Sequence, residues 1–450
     1  MAHLPPHLQR PAVMQQQQTA PPPINVTFSL APIAPPPQQH CLSFPVPSPY
    51  GMPQYVGAVG QAQVATNQYL SNLIDGNPHP NPYAVQASQG IPPGAIPQQG
   101  YSDMNAFGVP VDPSPVASSN GQLLPASSPP ACSHGDEFLG YTQLECQYSP
   151  SHWSHRPIHP AQVCARFVKK MTEASKETVD SSKTTDHHLL DVQYEPDGAN
   201  QQDTKLDLYG ANAIANGAPV VAFIHGGYWQ EGARQLSTVL VPPLLTAGAA
   251  VAVIGYSLAP RVSLARMVEQ VCAAVGWLES WCRQRSSPLF LSGHSAGAHL
   301  ACMALIHLRG QRRTELPSPL RGLILLSGIY DLKPILGTYI DKPLSLTLES
   351  ASSLSPELRV GELLAALTPA SDGACSVRVV VVAAEHDSPV FKQNSHRFFL
   401  KLSQAPVSSS NTAISFRIIT GEDHFTLIEK LDDPSFELTQ LLMKTMWQRE

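Results

Sequence analysis

The chain has 450 residues, with 28 basic against 34 acidic side chains and a formal net charge of −6. Its charges form no block or stripe, which removes the electrostatic basis for binding nucleic acid or an anionic membrane surface, and no run of about 18 apolar residues offers a membrane-spanning helix. The eight cysteines, at 41, 132, 146, 164, 272, 282, 302 and 375, include no CxxC pair, so neither a zinc pattern nor a disulfide framework is present and a reducing compartment is expected.

The first 150 residues hold 27 of the 44 prolines and one basic residue, Arg10. With QQQQ at 15–18 and PPP at 21–23 and 35–37, this stretch has too little apolar surface to offset the entropy of ordering it. Residues 1–143 are therefore expected to be a disordered Pro/Gln-rich tail. The opening MAHLPPHLQR lacks the charged and apolar regions of a secretory leader, so a cytoplasmic location is expected, with the nucleus kept open.

From 144 the pattern changes. YSPSHW (148–153) leads into a helical stretch around 161–178, and LLDVQY (189–194) with KLDLY (205–209) reads as an antiparallel opening pair. VVAFI (220–224) is a buried strand, a helix is expected near 235–247, and AAVAVIGY (249–256) is the next strand. Apolar residues at Leu264, Met267, Val268, Val271, Cys272, Val275 and Leu278 fall on one helical face. PLFLSG (288–293), a helix over 296–309, RGLILLSG (321–328), VRVVVVAAE (377–385), a helix near 390–403, SFRIITG (415–421) and a helix over 434–447 complete the chain. Near-continuous apolar strands alternating with helices predict one α/β domain, 144–450, whose mostly parallel sheet is covered on both faces.

Gly293-His294-Ser295-Ala296-Gly297 follows a strand and opens a helix. A G-x-S-x-G sequence in that setting makes a tight turn that lifts the serine hydroxyl out of the sheet, marking Ser295 as a nucleophile. A second motif, His225-Gly226-Gly227-Tyr228-Trp229, directly follows VVAFI. A glycine-rich loop there aims backbone N–H groups at a developing oxyanion, so Gly226, Gly227 and Ala296 are the candidate donors. Tyr228 and Trp229 are expected to wall the pocket. His225 reads as a holder of the loop rather than a base.

A serine nucleophile on this scaffold needs an acid and then a histidine later in the chain. VVVVAAEHDSPVF offers Glu385 and Asp387, of which Asp387 lies deeper in the loop and opens an Asp-Ser-Pro turn. Asp331, in SGIYDL, is the competing acid. SFRIITGEDHF supplies His424 after the next strand, whereas His396 falls inside a helix pattern and His386 adjoins the acid. Ser295, Asp387 and His424 are the expected triad.

Together these pieces resemble the kynurenine formamidase (arylformamidase) family of the α/β-hydrolase fold. The resemblance rests on YSPSHW, HGGYW, YSLAP (256–260), GHSAGAHLA (293–301), SGIYDL (327–332), EHDSPVF (385–391) and DHFTLIE (423–429), and it spans residue 144 to the C-terminus. The Pro/Gln-rich extension is a departure from that family. The resemblance implies Ser295 as nucleophile, Asp387 as acid, His424 as base and HGGYW as oxyanion loop. It also implies hydrolysis of N-formyl-L-kynurenine to formate and L-kynurenine in tryptophan breakdown. No metal or redox cofactor is required by such chemistry, and the small-molecule substrate is the one partner implied; a homodimer stays open. The rival readings are a general carboxylesterase of the same fold and a non-catalytic interaction protein on a hydrolase scaffold. The second is disfavoured because all three triad residues are present.

Overall fold

In a computed structural model of the protein, which describes residues 116–117, 123–124, 141–183, 186–195, 202–311, 318–368, 377–405 and 412–447, eight strands pair into one sheet. The chain divides into Met1–Gly90, wholly outside the described residues, and Ile91–Glu450, which holds everything below. The expected tail lies outside the described residues except for 141–143 and a two-residue ribbon pairing Val116–Ala117 with Leu123–Leu124.

The lead-in contains helix α1 (Gln143–Gln147), a 3-10 turn Pro150–Trp153 and helix α2 (Pro160–Ser182). Strands β1 (Leu189–Gln193) and β2 (Lys205–Tyr209) pair antiparallel, as expected for the opening pair. There follow β3 (Val220–Ile224), α3 (Val241–Thr246), β4 (Ala250–Ile254), α4 (Leu264–Gln284), β5 (Leu289–His294), α5 (Ala296–Gln311) and β6 (Leu320–Leu326). The last part holds α6 (Leu348–Ser353), α7 (Val360–Leu367), β7 (Val377–Ala384), α8 (Pro389–Gln404), β8 (Thr412–Ile419), α9 (Thr426–Glu429) and α10 (Glu437–Trp447). The sheet order is β8-β7-β6-β5-β3-β4-β2-β1, parallel from β8 through β4. This is an α/β-hydrolase fold.

The central strands are buried along their whole length, which is why they are continuous apolar runs. Their alternate side chains serve two cores. Val220, Ala222 and Ile224 join a cluster with Met267, Leu300, Leu363 and Phe398 from α4, α5, α7 and α8. Val221 and Phe223 join Met171, Leu244 and Leu442 from α2, α3 and α10 on the other face.

Two expectations need correction. The helix expected near 235–247 is a 3-10 turn (Arg234–Leu236) and the six-residue α3. Pro242 and Pro243 cause this, since proline fits only the first helical turn, where no backbone N–H is needed. The segment between β6 and β7, for which no structure was predicted, contains α6 and α7.

Candidate active site

The catalytic candidates gather at the carboxyl ends of the parallel strands, where the chain leaves β3, β5, β7 and β8. Between β5 and α5 the turn is so tight that Ser295 takes a left-handed φ of +54°. The flanking glycines are required by contact. A Cβ on Gly293 would lie 2.3 Å from the Gly297 carbonyl oxygen, and one on Gly297 would lie 2.1 Å from that of Ile224. Ser295 N–H donates to Leu326 O at 2.8 Å, continuing the ladder to β6. Ala296 N–H belongs to the first turn of α5, whose donors have no acceptor within the helix.

Gly226 brings the loop after β3 against Ser295: a Cβ there would stand 3.1 Å from Ser295 Cβ. Gly227 has a φ of +103° and its Cβ position is blocked by Glu231 O at 2.3 Å. His225 holds this loop. Its ring stacks on Tyr256 at 4.3 Å, its Nδ1 lies 2.8 Å from Gly226 O, and Tyr256 Oη donates to His225 O at 3.0 Å. Burial pushes the His225 ring down to about 4, so it is neutral at ordinary pH.

The expected acid and base meet. His424 Nδ1–H donates to Asp387 Oδ1 at 2.8 Å, leaving Nε2 on the far edge of the ring. The other oxygen, Oδ2, accepts from Ser327 Oγ at 2.5 Å and Ala384 N–H at 2.9 Å. The rival acids lie elsewhere: Asp331 accepts from Lys333 N–H at 3.1 Å and Glu385 from Gly421 N–H at 2.7 Å. His386 faces His155, and His396 faces Phe416 from α8. Ser295, Asp387 and His424 are 3%, 2% and 5% exposed, so each is nearly closed to bulk water. The ring of His294, next to Ser295, lies 4.5 Å from that of His424. Burial, reinforced by His424, holds His294 well below its usual range. Among the described residues no hydrogen bond joins Ser295 Oγ to His424; bonds of this kind tighten in the Michaelis complex.

Tyr228 and Trp229 part company. Both have left-handed backbones, φ +48° and +61°. Tyr228 is half-buried and donates its hydroxyl to Tyr148 O at 2.5 Å. Trp229, expected as a pocket wall, has no exposed surface; it packs edge-on to His299 at 5.0 Å. Its role in this structure is to brace the loop.

Sequence reasoning missed two sets of contacts. Ser327 lies in SGIYDL but was not singled out, because nothing in a strand-end serine announces its partner. Asp423, beside His424, is fully buried and accepts from Ser154 Oγ at 2.5 Å, Phe425 N–H at 2.9 Å and Thr426 N–H at 2.8 Å. Burial opposes its ionisation, yet these donors and Arg156 hold its carboxyl below the usual range. Among the described residues no three His, Cys, Asp or Glu side chains are grouped to hold a metal.

Residues 221–413 match the family model for the α/β hydrolase fold. A kynurenine formamidase of Danio rerio is 36% identical over 304 residues, covering 67% of this chain and 95% of its own length. One from Salmo salar is 36% identical over 306 residues, covering 68% and 96%. One from Drosophila melanogaster is 32% identical over 301 residues, covering 64% and 93%.

Proposed function

The chain belongs to the kynurenine formamidase family of α/β hydrolases, and from that premise we propose that it cleaves the formamide of N-formyl-L-kynurenine with Ser295, His424 and Asp387 as its triad. One observation supports the assignment of roles: His424 is bonded to Asp387 at 2.8 Å, and its ring lies 4.5 Å from that of His294, the residue before Ser295 on its left-handed elbow.

His424 Nε2 takes the Ser295 proton as the hydroxyl attacks the formyl carbon, and Asp387 stabilises the resulting imidazolium. The oxyanion then lies against the N–H of Ala296 and those of the Gly226–Gly227 loop. His424 passes the proton to the departing arylamine, which leaves more readily than an alkyl amine because its nitrogen lone pair is delocalised into the ring. Water activated by the same histidine attacks the formyl-serine and releases formate. The near-complete burial of the triad limits competing solvent.

Formate release from N-formyl-L-kynurenine tests the reading directly. Ser295→Ala and His424→Ala should each lower kcat by about 10⁴-fold or more, and the double variant by little beyond either. Asp387→Asn should be comparably severe, since it disturbs the histidine tautomer. A wild-type enzyme that turns over a small aliphatic ester faster than the formylated aniline would replace the formamidase reading with a general carboxylesterase.

A further inference from the structure

We infer that Ser327 is a positioning residue of the hydrolytic reaction: its hydroxyl holds the Asp387 carboxylate in the plane from which Oδ1 meets His424. This rests on the triad proposed above and adds a fourth side chain to it. Ser327 stands at the end of β6, one residue past Leu326, and is fully buried. Its backbone is fixed by donation from its N–H to Val382 O on β7 at 2.8 Å. From there the hydroxyl reaches Asp387 Oδ2 at 2.5 Å.

The backbone conformation makes this bond informative. Ser327 has a φ of +45°, a left-handed conformation that strains a side-chain-bearing residue and that glycine adopts freely. A serine here therefore carries a strain that a glycine would not, and the contact its side chain makes is with the carboxylate. Asp387 accepts three hydrogen bonds, from His424 Nδ1–H, Ser327 Oγ and Ala384 N–H. Oδ1 is engaged by the histidine it must position, so the anchors independent of that histidine are the two on Oδ2, the Ala384 N–H and the Ser327 hydroxyl. The serine is the one side chain of the pair, and with the N–H it holds Oδ2 from two directions. Donation from the hydroxyl occupies Oδ2 and leaves Oδ1 as the acceptor for His424 Nδ1–H.

The test separates hydroxyl from backbone. Ser327→Ala and Ser327→Gly both remove the donor, while only the glycine variant relieves the left-handed φ. Both should lower kcat for formamide hydrolysis by roughly 10- to 100-fold with KM within about twofold, and Ser327→Gly should be the more stable of the two to urea. Should Ser327→Ala fail to fold, Ser327→Gly carries the same comparison. Because Ser327 acts through Asp387, adding Ser327→Gly to Asp387→Asn should cost less than about threefold more. Full kcat in Ser327→Gly, or an undiminished loss in the Asp387→Asn background, would overturn the inference. An Asp387→Asn variant that is itself fully active would instead remove the triad reading and this inference with it. A crippled Asp387→Asn beside silent Ser327 variants would remove this inference alone.

Discussion

Trp229 shows how one side chain can matter to a site without facing it. The indole has no exposed surface and lies edge-on to His299, which is itself buried in α5 just past the nucleophile. Its backbone carbonyl accepts from Ala259 N–H at 2.8 Å, so the residue ties the loop after β3 to the chain after β4. Trp229→Ala would open a large cavity beneath that loop, a change that typically costs about 3–5 kcal/mol. Activity toward N-formyl-L-kynurenine and toward a small aliphatic ester should then fall by the same factor, because the loop itself is displaced. A loss confined to the aromatic substrate would return Trp229 to the pocket wall. Gly297→Ala is the sharper lesion: its Cβ would meet Ile224 O at 2.1 Å, backbone against backbone. It should destabilise the protein by about 1–3 kcal/mol or more and abolish turnover, read by urea unfolding and formate release.

At the level of elements, the lead-in segment reaches both catalytic loops. Tyr148 O accepts from Tyr228 in the oxyanion loop, 80 positions away, and Ser154 Oγ donates to Asp423 in the histidine loop, 269 positions away. Arg156 adds bonds to Glu429 at 3.0 and 3.2 Å. A chain beginning at residue 141 retains all of these and should keep kcat/KM within about twofold. A chain beginning at 160 loses them and should fall by at least about tenfold through misplacement of reacting groups; equal activity in the two would show that the segment is passive.

Such contacts explain what could be read from the sequence. The strands were legible because burial on both faces forces continuous apolar runs, and the elbow because Gly293 and Gly297 have no room for a Cβ. The lead-in was recognisable as a motif, but its partners are set by tertiary approach and leave no local periodicity. Helix α7 has apolar residues at Val360, Leu363, Leu364 and Leu367, a readable face that is short enough to pass for a loop. The burial of Trp229 was not legible, because adjacency in sequence to the loop after β3 does not say on which side of that loop a ring packs.

For the whole molecule the consequential feature is the burial of neutral histidines around the site. Burial pushes His225 and His299 down to about 4 and holds His294 well below its usual range, whereas an unfolded histidine titrates near 6.5. The sign follows from proton counts. Above about pH 6.5 neither state binds protons at these rings, so they contribute no slope. As pH falls from 6.5 toward 4 the unfolded chain takes up protons that the folded one refuses, and stability declines by up to about 1.4 kcal/mol per pH unit for each ring. At pH 5 the His225 and His299 rings together amount to roughly 4 kcal/mol, and His294 acts in the same direction, against the 5–15 kcal/mol that holds an ordinary domain folded. Asp207, whose carboxyl is raised by burial, opposes this near its own titration. Asp423 and Glu357, both lowered, add to the loss only at still lower pH. The protein should therefore lose most of its stability between pH 6.5 and 5, before ordinary carboxylates titrate. His299→Gln tests the cause, because it removes one titrating ring while an amide N–H can replace the bond from Nε2 to Leu354 O, 2.7 Å in the native protein. The slope of unfolding free energy against pH should drop in that variant by up to about 1.4 kcal/mol per pH unit. An unchanged slope would assign the acid lability to groups other than these rings.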